Sequence, residues 1–258
     1  MTHILEVENL SVHFAGFKAV NNCSLKVKKG SITALIGPNG AGKTTLFQLI
    51  CGNHKPTSGR VLFKERSINN YSSFERFHLG ISRTFQIAHE FHRLTVLENL
   101  MVVPAGQTGE NLFSNWLAPN KVKKQEKELL AKAYRALEFL EISHLANQLA
   151  GQISGGQKKL LELGRTMMAE PDLILLDEVA AGVNRTLLRK LENDIVRLNQ
   201  GDGYTFLLIE HDMEMVNKLA DTVICMAEGS VLTQGSFKEV VNNRQVQDAY
   251  LGEYKTKK

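Results

Sequence analysis

Residues 32–44 read ITALIGPNGAGKT, in which five residues of apolar character precede a glycine-rich run that matches the pattern G-x-x-x-x-G-K-[ST]. The first part predicts a buried strand, and residues 43–51, KTTLFQLIC, predict a helix that stops at Gly52. Glycines let the backbone turn tightly and aim its N–H groups inward, while the helix N-terminus adds partial positive charge. The segment therefore predicts a site for a nucleoside triphosphate, in which Lys43 reaches the β- and γ-phosphates and Thr44 offers a hydroxyl to Mg²⁺.

The composition is that of a globular domain. Of 258 residues, 43% are hydrophobic and 22% are charged, so the chain can bury a substantial core and is not expected to be disordered. The net charge is +4, but no basic stripe with stacking aromatics predicts nucleic-acid binding. No signal-peptide pattern and no apolar run of the ~18 residues that span a bilayer is found, so a soluble protein is expected. Cys23, Cys51 and Cys225 share no CxxC spacing and are expected to be reduced thiols of a cytosolic protein.

The order of patterns predicts a single domain with an insertion. Residues 4–36 favour strands, residues 88–149 favour helices, and after Gly155 helices and strands alternate. We therefore expect an α/β fold with a mostly parallel core sheet, an N-terminal antiparallel β part and an inserted helical subdomain. The predicted nucleotide-binding lobe comprises residues 1–87 and 161–258, and the helical subdomain comprises residues 88–160.

One stretch within the insertion allows two interpretations. Residues 104–120 are rich in loop formers, yet they carry the apolar side chains of Leu112, Phe113, Trp116 and Leu117. These side chains either fill a local gap or form a surface for a partner.

Two further motifs extend the predicted site. Residues 173–178, LILLDE, predict a buried strand that brings Asp177 and Glu178 to the edge of the sheet. There one carboxylate can hold Mg²⁺ and the other can orient or deprotonate a water molecule. Residues 154–157, SGGQ, open a helix, and their serine cap and paired glycines predict a second anion-binding terminus. Since a single compact site has little use for two such termini, the second is expected to serve a nucleotide across a dimer.

Together these motifs resemble those of the ATPase subunits of ABC transporters over essentially the whole chain. Residues 37–44 resemble the Walker A loop of that family, residues 153–157 its signature sequence, and Asp177 with Glu178 its Walker B aspartate and catalytic glutamate. The resemblance implies that Gln86, in RTFQ, touches Mg²⁺ and that His211, in LLIEHDM, contacts the γ-phosphate. Phe14 lies where the family stacks an aromatic ring on adenine.

The resemblance thus implies a complete set of site residues. The catalytic residues are Glu178, His211 and Lys43, and the Mg²⁺ ligands are Thr44, Gln86 and Asp177. The residues expected to contact ATP are Phe14, Gly37, Pro38, Asn39, Gly40, Ala41, Gly42, Lys43, Thr44, Thr45, Ser154, Gly155, Gly156 and Gln157.

Two residues depart from the family pattern. Val179 stands where a proline commonly follows the catalytic glutamate, which loosens that turn without removing a chemical group. Asn184 replaces the usual aspartate of the D-loop, residues 180–184, so hydrogen bonding is kept but a charge is lost. The effect of both on coupling across a dimer is left open.

Within this family the chain is most similar to the ATPases of branched-chain amino acid importers. The similarity lies in RTFQ, in FHRLTVLENL at residues 91–100, in NLFSNWL, AAGVN and IEHDM, and in AYLGE at residues 249–253. It implies a second ATPase subunit (identical or different), two membrane permeases and an extracytoplasmic solute-binding protein as partners, with the chain peripheral on the cytoplasmic face of the inner membrane. The transported solute rests on this analogy alone.

Other functions share part of this pattern. ATPases of urea or amide importers and of lipopolysaccharide exporters carry several of the same segments, including a similar C-terminal YLGE. A soluble ABC ATPase outside transport and a nucleotide-binding subunit without turnover are the remaining alternatives. The helical insertion argues against the former, and Glu178 with His211 argues against the latter.

Overall fold

The computed structural model describes residues 2–84, 90–107 and 119–256. Within these residues two sheets form, one of six strands and one of four. The strands are β1 His3–Phe14, β2 Phe17–Lys28, β3 Ile32–Ile36, β4 Ser58–Phe63, β5 Arg66–Ser67, β6 Ile81–Arg83, β7 Leu173–Asp177, β8 Thr205–Ile209, β9 Thr222–Ala227 and β10 Ser230–Gly235. The helices are α1 Lys43–Cys51, α2 Ser73–His78, α3 Val96–Met101, α4 Pro119–Phe139, α5 Gly155–Ala169, α6 Arg185–Asp202, α7 Met213–Leu219, α8 Phe237–Val241 and α9 Arg244–Thr256.

The six-stranded sheet carries the motifs. Its order is β10-β9-β3-β8-β7-β6, and all neighbouring pairs are parallel except β10 with β9. All residues of β3, β7 and β8 are buried, as expected for parallel strands covered on both faces. Because parallel strands end at the same edge, the segments after β3, β7 and β8 come together there.

The four-stranded sheet is antiparallel, in the order β2-β1-β4-β5. Its strands alternate buried and exposed residues less regularly, because register shifts interrupt the β1–β2 and β1–β4 pairs. Its apolar face and the buried side of α1 belong to one hydrophobic core, which also contains residues of β7, β8 and β9. The predicted α/β class, the mostly parallel sheet and the N-terminal antiparallel part are confirmed.

The chain divides into two compact units. The first comprises residues 1–83, 172–181 and 195–258 and contains both sheets. The second comprises residues 84–171 and 182–194, and in it α3, α4 and α5 pack together. A Cβ added at Gly164 of α5 would meet Leu140 Cδ1 at 2.9 Å and Leu100 Cδ2 at 3.1 Å, so this helix approaches its neighbours closely.

The second unit follows the predicted helical insertion with different limits. The predicted end at residue 160 falls inside α5, a continuous helix, whereas the compact unit extends to residue 171 and also takes residues 182–194. Residues 119–120, predicted as loop, open α4, since Pro119 suits the first helical position. Most of the apolar stretch around Trp116, residues 108–118, lies outside the described residues.

Two smaller expectations can be compared with the structure. The spacing of apolar residues at 126–140 predicts a helix with Leu130 on its buried face. Leu130 is instead 37% exposed, because the buried face of α4 runs through Val122, Ala133, Ala136 and Leu137. The cysteines are buried and form no disulfide, and burial raises the pKa of Cys23 to about 12 and those of Cys51 and Cys225 to about 11. Among the described helices, none is long and apolar enough to cross a membrane.

Candidate functional site

The loop after β3 requires glycine at two positions. Gly37 has φ 147°, and a Cβ there would lie 2.1 Å from the carbonyl oxygen of Met226. Gly42 has φ 93°, and a Cβ there would lie 2.4 Å from the carbonyl oxygen of Ala19. Any other residue would push the loop away from the strands beneath it. The glycines therefore fix a narrow backbone path that leads directly into α1.

Lys43 is the first residue of α1, and its side chain is buried beneath the loop. Its Nζ donates hydrogen bonds to the carbonyl oxygens of Gly37, at 2.7 Å, and Pro38, at 3.0 Å. The first turn of α1 contains no acidic residue, so the positive end of the helix dipole is not neutralised from within. The loop thus places an ammonium group and backbone N–H groups at one point, which suits a polyphosphate.

Asp177 ends β7 and is 2% exposed. Its Oδ2 accepts a hydrogen bond of 2.7 Å from Nη2 of Arg83, the last residue of the neighbouring strand β6. This ion pair offsets part of the cost of burying the carboxylate. Arg83 was not among the residues predicted from the sequence, since its contact depends on β6 lying beside β7.

Glu178 and His211 meet at the same edge of the sheet. Asp177 is in register with Ile209, so the residues that follow β7 and β8 emerge side by side. Oε1 of Glu178 lies 3.2 Å from Nε2 of His211, and both side chains are partly exposed. Glu178 has φ 51°, a left-handed conformation that is costly for a residue with a Cβ. A carboxylate in contact with an imidazole can position a water molecule and accept a proton from it.

Beside the phosphate loop lies an open recess of about 550 Å³ in the first unit. The exposed ring of Phe17 contributes its aromatic wall, whereas Phe14, 41% exposed, lies edge-on to His54 with 5.2 Å between ring centroids. The recess is lined by Phe17, Lys18, Pro38, Asn39, Gly40, Ala41, Ala227, Glu228, Asp248 and Ala249. The sequence did not predict that Phe17 and residues of α9 (Asp248 and Ala249) lie beside the loop, although Phe17 is only three residues from Phe14.

Ser154 and Gln157 form a reciprocal cap at the start of α5, in the second unit. Ser154 Oγ accepts a hydrogen bond from the Gln157 N–H at 3.3 Å, and Gln157 Oε1 accepts one from the Ser154 N–H at 2.9 Å. The two glycines between them differ. A Cβ at Gly156 would lie 1.9 Å from Leu187 Cδ2, whereas Gly155 faces open space. A side chain at the second glycine would therefore displace Leu187, while the first glycine leaves the helix terminus accessible.

Other predicted residues have simpler outcomes. Thr44 is exposed and Thr45 is half-buried at the start of α1. Gln86 lies outside the described residues. Asn184 Oδ1 accepts a hydrogen bond from the Leu187 N–H at 2.9 Å and so supports the first turn of α6.

Comparison with known proteins agrees with this geometry. The sequence profile of the family described as "ABC transporter" matches residues 20–181, and that described as "Branched-chain amino acid ATP-binding cassette transporter" matches residues 230–256. The chain is 42% identical to the "Probable branched-chain amino acid transport ATP-binding protein LivG" of Archaeoglobus fulgidus, over 96% of this chain and 95% of that protein. It is 38% identical to the "High-affinity branched-chain amino acid transport ATP-binding protein LivG" of Salmonella typhimurium, over 97% of this chain and 98% of that protein.

A solved structure shows the same fold. The structure, described as a nucleotide-free ATP-binding cassette from an ABC transporter, superposes with a TM-score of 0.83 at 38% identity, over 96% of this chain and 99% of that one. The fold, the strand–loop–helix phosphate site and the relatives agree, and the chain belongs to the ABC transporter family as an ATP-hydrolysing, ATP-binding subunit.

Proposed function

We propose that this chain powers the import of branched-chain amino acids through partner permeases. The observation that carries the proposal is similarity along the whole chain to the LivG proteins, including a separate match of residues 230–256 to the branched-chain amino acid cassette family. That second match lies outside residues 20–181, which match the profile of the ABC transporter family. The printed names of the whole-chain relatives favour this substrate class over the urea, amide and lipopolysaccharide alternatives, whose ATPases carry a similar C-terminal YLGE.

The phosphate loop and Lys43 are proposed to hold the phosphates of ATP. The Lys43 ammonium, now bound to the carbonyls of Gly37 and Pro38, lies within the loop and can turn its donors toward phosphate oxygens. Backbone N–H groups of the loop and the first turn of α1 supply further donors. The adenine ring is proposed to stack on Phe14, whose ring is partly exposed.

The oxygen donors of Thr44 and Asp177 fit Mg²⁺ as an ion that arrives with the nucleotide. Thr44, Asp177 and Gln86 would hold it, since hydroxyl, carboxylate and amide oxygens are the hard ligands that this ion prefers. In the described part of the chain, no group of three or more His, Cys, Asp or Glu side chains could hold a metal alone. Phosphate oxygens would complete such a site, and the bound ion would neutralise charge on the phosphates.

Glu178 is proposed to accept the proton of the attacking water, and His211 to contact the γ-phosphate. Their side chains lie 3.2 Å apart, so the pair can hold a water molecule and a phosphate oxygen at neighbouring positions. Phosphoryl transfer depends mainly on positioning and charge neutralisation, which these few groups can supply. The exposed terminus of α5, with Ser154 and Gly155, is proposed to act on nucleotide bound to a second ATPase subunit.

The remaining partners are proposed to be two permeases and an extracytoplasmic solute-binding protein, with this chain peripheral on the cytoplasmic face of the inner membrane. The test is reconstitution of the complex in liposomes with ATP on the ATPase side. Labelled leucine, isoleucine and valine should be taken up in an ATP-dependent manner, whereas labelled urea should not. Uptake of urea but not leucine would contradict the substrate class.

A Glu178→Gln variant tests the chemistry in the same assay. The amide keeps the shape of the side chain but cannot accept the proton, so hydrolysis should fall by roughly 10²–10⁴-fold while ATP binding persists. The variant should also accumulate as an ATP-bound dimer, detected by size-exclusion chromatography. Full turnover by purified Glu178→Gln protein would refute the role of this residue.

A further inference from the structure

Glu210 joins the two segments that carry the catalytic side chains. It follows β8 directly, precedes His211, and is 2% exposed. Its Oε1 accepts a hydrogen bond from the Ala180 N–H at 3.1 Å, and its Oε2 accepts one from the His211 N–H at 3.3 Å. One buried carboxylate therefore connects the turn after β7 to the turn after β8.

These bonds close a ring of contacts around the proposed catalytic pair. The Glu178 N–H donates to the carbonyl oxygen of Ile209 at 2.9 Å, which holds the start of one turn against the end of β8. The side chains of Glu178 and His211 meet at 3.2 Å on the other side. Glu210 supplies the third connection, between Ala180 and the backbone of His211. A shift of either turn would thus be transmitted to the other through the Glu210 carboxylate.

The turn after β7 needs such a restraint. Glu178 adopts a left-handed conformation with φ 51°, which persists only where the surrounding contacts determine it. The next residue, Val179, has no ring to fix its φ angle, unlike proline. Hydrogen bonds hold the turn instead, one from the Ala181 N–H to the carbonyl oxygen of Glu178 at 3.1 Å and one from the Ala180 N–H to Glu210.

Burying a carboxylate so that it can accept hydrogen bonds from two backbone N–H groups carries a large desolvation penalty. A neutral side-chain oxygen could accept either bond with a smaller desolvation penalty. A carboxylate offers two equivalent acceptor oxygens on a rigid planar group, so it can bridge two donors at a fixed separation. The geometry of Glu210 therefore suits the alignment of two segments better than it suits general stability.

We infer that Glu210 is a positioning residue for ATP hydrolysis, which aligns Glu178 and His211 by holding the backbones of Ala180 and His211. The inference rests on the catalytic roles proposed for those two side chains. Glu210 acts through the two turns, and the ATP-binding contacts of Gly37 and Lys43 do not depend on it. The expected signature is a loss of turnover without a loss of nucleotide affinity.

A Glu210→Ala substitution in the full-length chain tests this signature. Because displacement of a catalytic group by about 1 Å can cost ~10²-fold in rate, kcat should fall by about that factor. The Kd for a non-hydrolysable ATP analogue, measured by calorimetry, should stay within about twofold of the wild-type value. Glu210→Gln keeps one acceptor oxygen but turns an N–H donor toward the other backbone N–H. Its kcat should therefore lie between those of the wild-type protein and of Glu210→Ala.

A matched control separates positioning from stability. Asp221 Oδ2 accepts a hydrogen bond from the Ile32 N–H at 2.8 Å at the opposite end of β3, so it is another carboxylate that holds the backbone of this sheet. Asp221→Ala should lower the melting temperature but leave kcat near the wild-type value. If Glu210→Ala lowers the melting temperature and leaves kcat unchanged, Glu210 is only structural and the inference is wrong. Glu210→Gln decides the same question if the alanine variant fails to fold.

A double substitution tests whether Glu210 acts through Glu178. When Glu178 is already glutamine, its alignment matters little, so adding Glu210→Ala should reduce single-turnover hydrolysis of labelled ATP by less than about threefold. A further loss as large as that in the wild-type background would overturn the inference. Full turnover by Glu178→Gln alone would instead contradict the proposed catalytic role, so the two failures are distinguishable.

Discussion

Phe14 and Phe17 flank the two-residue turn of the β1–β2 hairpin and are paired across it. The sequence predicts that Phe14 stacks on adenine, whereas the recess beside the phosphate loop takes its aromatic wall from Phe17. Replacing the stacking ring with alanine should weaken ATP binding by about 1–3 kcal/mol, the contribution of one base–aromatic stack. We expect this loss for Phe14→Ala and an unchanged Kd for Phe17→Ala, both measured by calorimetry.

The reverse result would move the adenine site to the recess. A normal Kd for Phe14→Ala together with a weakened Kd for Phe17→Ala would assign Phe14 to packing against His54. Because both substitutions lie at the same hairpin turn, each variant is the structural control for the other.

Residue identity predicted the individual chemical groups of the site, but not the partners that those groups have. The loop glycines, Lys43, Asp177 and Glu178 were predicted from local motifs, and His211 from the family resemblance. The pairs they form depend on which strands are neighbours. Arg83 reaches Asp177 because β6 lies beside β7, and Glu210 reaches Ala180 because β7 lies beside β8. Strand order is a property of the whole sheet, which a motif of a few residues does not encode.

At the scale of one element, α1 depends on a cation at its C-terminal end. Arg76 of α2 is 2% exposed, and its Nη1 donates to the carbonyl oxygens of Leu49, at 2.6 Å, and Ile50, at 2.9 Å. Its Nε donates to the carbonyl oxygen of Tyr71 at 3.0 Å. These bonds satisfy carbonyls at the end of α1 and place positive charge at the negative end of its dipole. Since the other end of α1 begins the phosphate site, Arg76 anchors the helix on which Lys43 stands.

Arg76→Met should therefore destabilise the protein while keeping most of the side-chain volume. Loss of charged hydrogen bonds that leaves buried carbonyls without donors should lower the free energy of unfolding by about 2–3 kcal/mol. Urea denaturation followed by circular dichroism would measure the change as a lower midpoint. Arg66→Met removes an exposed arginine that lies over the ring of Tyr71, and it should change the stability by less than about 0.5 kcal/mol. Equal midpoints for the two variants would contradict the anchoring role.

Elements with local start and stop signals were predicted with correct bounds. The sequence patterns at residues 43–51 and 213–219 predict the two helices that are observed there. Lys43–Cys51 ends at Gly52, which is left-handed with φ 81°, and Met213–Leu219 begins after the capping residue Asp212. The start and the buried face of α4 were predicted less well. Its apolar periodicity is weak in the first turns, and Leu130 follows the spacing of the buried residues although its side chain is exposed. The predicted boundary between the lobes at residue 160 falls within α5, which continues without a break to Ala169.

At the scale of the whole molecule, the terminus of α5 is open to a partner. Ser154 and Gly155 are exposed, whereas Gly156 is held close to Leu187. Ser154 belongs to the second compact unit and the phosphate loop to the first. The exposure of Ser154 and Gly155 supports the proposal that the terminus binds the γ-phosphate of ATP on another ATPase subunit, because an exposed glycine lets a helix terminus approach an anion closely.

Ser154→Arg tests that proposal. The arginine side chain would fill the space in front of the helix terminus, so ATP-dependent pairing should be lost, while the Kd of the single chain for ATP should not change because the loop and Lys43 are untouched. Pairing can be measured by analytical ultracentrifugation in a Glu178→Gln background, in which hydrolysis should not reopen the dimer. Transport by the assembled complex should be lost as well.

The substitution also removes a helix cap, and a second serine provides the control. Ser236 caps α8 with the same reciprocal pattern, in which Ser236 Oγ accepts from the Glu239 N–H and the Glu239 carboxylate accepts from the Ser236 N–H at 2.7 Å. Ser236→Arg should cost a similar ~1 kcal/mol of capping energy yet leave pairing intact. If Ser154→Arg weakened ATP binding by the single chain, the terminus would serve its own nucleotide. If both variants paired normally, the terminus would be an ordinary helix cap, and a model in which each subunit completes the site of its partner would have to be abandoned.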